Sequence, residues 1–168
     1  MLSIKKKVEE LGLTLPAVAA PLAAYVPATR VGDMIFVSGQ LPSVNGDFSA
    51  YTGIVPTELS PEKAKEGAAI CLLNNIAAAM SMLEDGETLK LVQMQGFVQS
   101  SPDFKEQPAI LNGASELAVQ ILGDNGKHAR TAVGVAALPK NAGVEISCTF
   151  QVTKSEVKFQ GRMNWIEP

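Results

Sequence analysis

The residues best suited to chemistry stand close together in the last third of the sequence. In KHARTAVGVAALPKNAGVEISCTF, residues 127–150, Arg130 is followed by small and β-branched residues, a Leu138-Pro139 turn and a strand carrying a lone glutamate, Glu145. Arginine offers a planar fork that grips a carboxylate at two points, and a glutamate can accept a proton or relay one through water. Alternation predicts two strands: Arg130, Ala132, Gly134 and Ala136 against Thr131, Val133 and Val135, then Glu145, Ser147, Thr149 and Gln151 against Val144, Ile146, Cys148, Phe150 and Val152. Folded as a hairpin about Leu138-Pro139 with Val133 opposite Val144, they place Ala132 opposite Glu145 and Arg130 opposite Ser147. Arg130, Glu145 and Ser147 then share one face with the small residues, a shallow trough suited to a small anion or to a second subunit. The plain alternative is a solvated strand face, whose ion pairs contribute about 0–1 kcal/mol and carry no function.

Other candidates are weaker. Ser38, Gly39 and Gln40 in FVSGQLP end a strand, where backbone amides could meet an anion, although Ser-Gly after a strand is commonly just a turn. His128 reads as a turn residue, since nothing near it in sequence looks like a nucleophile for it to activate. Cys71 lies in a helical pattern and Cys148 on the apolar side of a strand, so both read as buried small hydrophobes. Two such cysteines and a single histidine give no metal-ligand set, and no phosphate-binding glycine loop or nucleophile elbow is present. No cofactor is implied.

Several elements must hold these groups. Ile4, Val8 and Leu11 at helical spacing before Gly12 predict a short amphipathic helix at the start. Strands are expected at Met34 to Val37 and residues 89–100, with further short ones around Ala24 to Ala28 and Tyr51 to Val55. The longest helix is predicted from Ser60 as N-cap and Pro61 at the first position to near Gly86, with a stripe of Ala64, Ala68, Cys71, Leu72, Asn75, Ala79 and Leu83. A second long helix runs from about Pro108 to Leu122. Two long helices among strands predict an α+β layer, with the helices covering one face of a mixed or antiparallel sheet.

Composition narrows the function. The chain's 168 residues suit a single domain, and 46% hydrophobic against 18% charged residues is too apolar for disorder and hints at surface buried on another subunit. A net charge of −3 and scattered lysines and arginines disfavour a nucleic-acid groove. No apolar run reaches the length of a membrane span, and the opening MLSIKKKVEELG reads as a helix rather than a signal peptide, so a cytoplasmic protein is expected.

GDMIFVSGQLP, the stretch from Gly96 to Phe104, LNGASELAVQIL and above all HARTAVGVAALP with the following VEI resemble, in order and spacing, the reactive-intermediate deaminases of the YjgF-like or Rid superfamily. The resemblance covers Ala24 to Val152, with residues 1–23 as a lead-in and 153–168 as an extension. It implies a chorismate-mutase-like fold, a homotrimer with ligand sites in clefts between subunits, and hydrolysis of 2-imino or enamine acids such as 2-aminoacrylate to 2-keto acids and ammonia. It also implies that Arg130 clasps the substrate carboxylate, that Glu145 positions water, that Tyr25, Ser38 and Gly39 come from the neighbouring subunit, and that Asn112 lies near the pocket. The chain departs from the usual pattern at Ala132, where many members have cysteine, and at Gly134, where many have glutamate. A trimer that binds a small carboxylate without turning it over is therefore a competing reading, and an endoribonuclease or translation inhibitor is a third.

Overall fold

The computed structural model describes residues 2–18 and 24–154. Its elements run α1 (Leu2–Glu10), β1 (Ala28–Val31), β2 (Met34–Val37), α2 (Pro61–Met80), β3 (Glu87–Gln99), α3 (Gln107–Leu122), β4 (Ala129–Val135) and β5 (Val144–Lys154). The strands form one five-stranded sheet in the order β1-β2-β5-β3-β4, antiparallel except where β3 lies parallel to β4. The fold is thus the mixed α+β layer expected, with α2 and α3 on one face.

Local chemistry explains why these segments become these elements. Ser60 accepts the Lys63 backbone N–H at 3.2 Å and Pro61 opens α2, as the cap pattern requires. The helix stops at Met80, earlier than the sequence indicates, and Leu83 buries itself from the following turn. Alanines and Cys71 let α2 lie close on the sheet, where the Asn75 amide donates to the Cys71 and Ile146 carbonyls at 2.8 and 3.0 Å. In β3 a register shift between Leu91 and Gln93 lets both Leu89 and Leu91 and then Met94, Gly96 and Val98 face inward. Ile4 and Val8 of α1 complete the core. Tyr51 to Val55 makes only isolated bridges, Thr52 to Ala142 and Val55 to Ser100, instead of a strand, and β1 begins where the first short strand was expected to end.

The predicted terminal hairpin does not form. β3 lies between β4 and β5 and pairs with both, so Met94 stands opposite Arg130 on one side and Cys148 on the other, while Phe97 stands opposite Val133 and Glu145. The reason is the parallel β3-α3-β4 crossover, which spends the free edge of β3 on β4 before β5 arrives. The connection from β4 to β5 then crosses the end of β3. Gln99 braces it, accepting the Leu138 N–H at 2.7 Å and donating to Asn141 Oδ1 at 2.6 Å, and Lys140 and Asn141 take positive φ.

Pairing fixes which way each side chain points. Met94 and Cys148 are buried beneath the helices, so Arg130 faces the helix side; Glu145 faces the open side. The expectation of Arg130 and Glu145 on one face is therefore overturned within a protomer. The faces of β4 are inverted relative to the sequence reading: Val133 is 39% exposed, and Ala132 packs on the core. Small residues face α3 because it comes close. A Cβ on Gly96 would overlap Leu111, and one on Gly134 would approach Gln107 Nε2 and Ser100 Oγ at 2.7 Å.

Candidate functional site

Two groups of candidate residues stand on opposite sides of the sheet. On the helix side, Arg130 projects from the edge strand β4 toward α3, where Asn112 and Ser115, three residues apart and so on one helix face, await it. Its Nη1 donates to Asn112 Oδ1 at 2.9 Å and to Ser115 Oγ at 3.0 Å, which uses both hydrogens of that nitrogen. Nε and Nη2 have no partner among the described residues, and the side chain is exposed. The guanidinium is thus held by one end while its side-on edge, the one that grips a carboxylate at two points, stays open. Ala132 lies next along this face.

His128 belongs to the same group. Its Nδ1 lies 2.6 Å from the Gly126 carbonyl oxygen and its Nε2 3.1 Å from Ser115 Oγ. A carbonyl can only accept, so Nδ1 carries the hydrogen, and in the neutral ring Nε2 accepts the Ser115 hydroxyl. The turn residue read from sequence stands just before β4 and is hydrogen-bonded into the Arg130 group. Two signals could have found it: His128 and Arg130 share strand parity, and Asn112 and Ser115 share a helix face.

On the open side, Glu145 sits against Gly39, where any Cβ would overlap its Oε1. Burial raises this carboxyl above the usual carboxylate range. The Gly39 segment is laced to its neighbours: Ser38 donates its N–H to the Pro27 carbonyl at 3.0 Å and its hydroxyl to the Val26 carbonyl at 2.7 Å, and Gln40 exchanges backbone hydrogen bonds with Ile146 at 2.8 and 3.1 Å. Ser147 fastens β5 to the same strand end through the Val37 carbonyl at 3.0 Å. Tyr25, beside Val26 in the chain, is 54% exposed. The structure brings Ser38, Gly39 and Glu145 together, and Arg130, Asn112, Ser115 and His128 together, but not the two groups. The open face also exposes Val31, Phe36 and Val133.

Burial pushes the Cys71 and Cys148 thiols well up, which leaves neither as a nucleophile. Among the described residues no three His, Cys, Asp or Glu side chains are grouped to hold a metal ion, and no helix is long and apolar enough to cross a membrane.

Known proteins share this arrangement of elements. The family described as endoribonuclease L-PSP matches residues 16–152. The chain belongs to this family, within the YjgF/Rid superfamily. A curated relative, protein TCP17 of Trypanosoma cruzi, is 37% identical over 151 residues, covering 89% of this chain and 94% of that protein. The crystal structure of the Agrobacterium tumefaciens protein Atu1372, of unknown function, is 40% identical, covers 90% of this chain and 94% of that one, and superposes with a TM-score of 0.79. The YjgF gene product of E. coli is 28% identical, covers 82% and 94% respectively, and has a TM-score of 0.55. The YjgF-type likeness thus extends over nearly all of the described residues.

Proposed function

We propose that this YjgF/Rid protein hydrolyses small 2-imino or enamine acids of the 2-aminoacrylate type to 2-keto acids and ammonia, in clefts formed between copies of the chain. The observation that carries this is the Arg130 fork, tethered at Nη1 and open along Nε and Nη2. It would hold the substrate carboxylate, with Asn112 keeping the fork oriented and Ala132 forming the floor. Tyr25, Ser38 and Gly39 would close the cleft from a neighbouring copy. The two groups lie on opposite faces of one sheet, so they can combine only if Arg130 of one copy meets Glu145 of another. A homotrimer provides such clefts, and the exposed Val31, Phe36 and Val133 give its subunits apolar surface to bury.

The chemistry needs no cofactor: an enamine acid takes a proton from solvent on its terminal carbon to become the 2-iminium form, and an iminium carbon is already electrophilic. Water adds to that carbon as Glu145 takes its proton; Glu145 then returns that proton to the carbinolamine nitrogen, which leaves as ammonia while the hydroxyl gives its proton to water and the C=O bond forms. A carboxyl raised by burial is a better proton acceptor than an ordinary one once ionised. Generating 2-aminoacrylate with a serine dehydratase and following semicarbazide trapping tests this: wild type should reduce trapping and Arg130→Ala should not. Undiminished hydrolysis by Arg130→Ala would contradict the proposal.

Ala132 and Gly134 place no ionisable group beside Arg130, which favours a second reading: a trimer that binds a small carboxylate without turnover. Saturable binding with no change in trapping would select it. The family's endoribonuclease description finds less support in this chain, whose net charge is −3.

A further inference from the structure

The chain of hydrogen bonds behind Arg130 does more than fill space. Building on the carboxylate role proposed for Arg130, we infer that His128 is the positioning residue of the fork: its neutral ring locks Ser115, and through it the Arg130 guanidinium, and protonation of Nε2 releases them. Ser115 Oγ can donate once. With Nδ1 committed to the Gly126 carbonyl at 2.6 Å, Nε2 at 3.1 Å takes that proton, and the oxygen's lone pairs then face Arg130 Nη1 at 3.0 Å. The only other acceptor placed for the hydroxyl among the described residues is Met94 Sδ at 4.0 Å, a weak one.

A proton on Nε2 reverses this polarity. Ser115 Oγ would receive donors from two cations, its own hydrogen would have to turn away, and imidazolium and guanidinium would repel across a single oxygen. The lock opens. Imidazoles change charge between about pH 5 and 8, whereas an arginine keeps its proton throughout. On the turn before β4, Asp124 and Lys127 pair with each other at 2.7 Å; on α3, Glu116 pairs with Lys65 at 3.3 Å; β3 contributes the uncharged Met94. Arg130 is the charge joined to the ring through hydrogen bonds.

His128 is the single histidine of the sequence, so its ring signals are unambiguous. Nitrogen-15 NMR of the wild-type protein at pH 8 should show hydrogen on Nδ1 and a bare Nε2; the opposite tautomer would overturn the inference. The functional arm uses pyruvate, a 2-keto acid that stays ionised from about pH 5.5 to 8, with binding to the whole chain followed by ligand-detected NMR. Wild-type affinity should fall about 3- to 10-fold on acidification, the worth of one hydrogen bond. His128→Gln keeps an acceptor for Ser115 but cannot titrate, so its affinity should stay flat when the comparison is made in a Glu145→Gln background, which removes the carboxyl that the proposed cleft brings to Arg130. Wild-type affinity that is flat or rises on acidification, with binding still abolished by Arg130→Ala, overturns the role of His128 and leaves that of Arg130 standing. Arg130→Ala that binds pyruvate like wild type removes both.

Discussion

Replacing Gly96 with alanine should loosen the seat of α3 and, with it, the Arg130 site. The new methyl would overlap Leu111 Cδ1 and lie 2.7 Å from Leu111 Cγ. Leu111 is fully buried, so its side chain cannot escape into solvent and α3 must shift away from β3. Overpacking of this kind costs about 1–3 kcal/mol, and at about 2–4 °C per kcal/mol for a chain of this size Tm should fall by about 2–12 °C. Leu111→Ala alone should cost about 2–5 kcal/mol through the cavity it leaves. In the double variant the methyl added at position 96 occupies part of that cavity, so the double should cost about 1–3 kcal/mol less than the sum of the singles. Urea denaturation of the four proteins at one fixed protein concentration measures this coupling. Costs that add within about 0.5 kcal/mol would refute the claim that Gly96 exists to admit Leu111. Asn112 follows Leu111 in the chain, so Gly96→Ala should also weaken pyruvate binding, through the Asn112 bond to Arg130.

Gly39→Ala should abolish imine hydrolysis while leaving Tm within a few degrees, because the added methyl displaces the Glu145 carboxylate on an open face rather than in the core; retained turnover would count against that contact. Glu87 is held at a pKa of about 2 by the Arg30 guanidinium, which reaches its two oxygens at 2.7 and 2.8 Å. A depressed folded-state value stabilises the fold above the ordinary 4.5 and loses that effect as pH falls toward about 2, so the stability gap between wild type and Glu87→Gln should be full above about pH 5 and close below it. A gap independent of pH would dismiss the ion pair as its source. Both cysteines should resist a thiol reagent in the native protein and react in denaturant; rapid native labelling would contradict their burial.

The parts legible in the sequence were those set by local rules. The Ser60 cap with Pro61, the Met34 to Val37 strand and the helix from about Pro108 to Leu122 each depend on neighbours within a turn or two, and each is in the structure. Register between strands is a non-local property. The Leu138-Pro139 turn invited a hairpin, and nothing within β4 or β5 reveals that β3 comes between them. The inversion of β4 had the same source: Val133 is branched and apolar, which reads as core, whereas it faces the open side and Ala132 lies under α3. Of the candidate group, Arg130 and Asn112 were both singled out in the sequence and are hydrogen-bonded in the structure, whereas His128 was read as a turn residue because its partner Ser115 lies on another element. The C-terminal extension with Trp165 lies outside the described residues.

A mixture of two inactive variants tests the split site most directly. Arg130→Ala and Glu145→Gln subunits, unfolded together and refolded as a mixture, are assayed for loss of semicarbazide trapping. If Arg130 and Glu145 work from different copies, random assembly recreates an intact pair at about a quarter of the clefts, so about a quarter of wild-type turnover should return. If no activity returns beyond that of the separate variants, although the subunits have mixed and each variant folds, then each cleft draws both groups from one copy and the account is wrong.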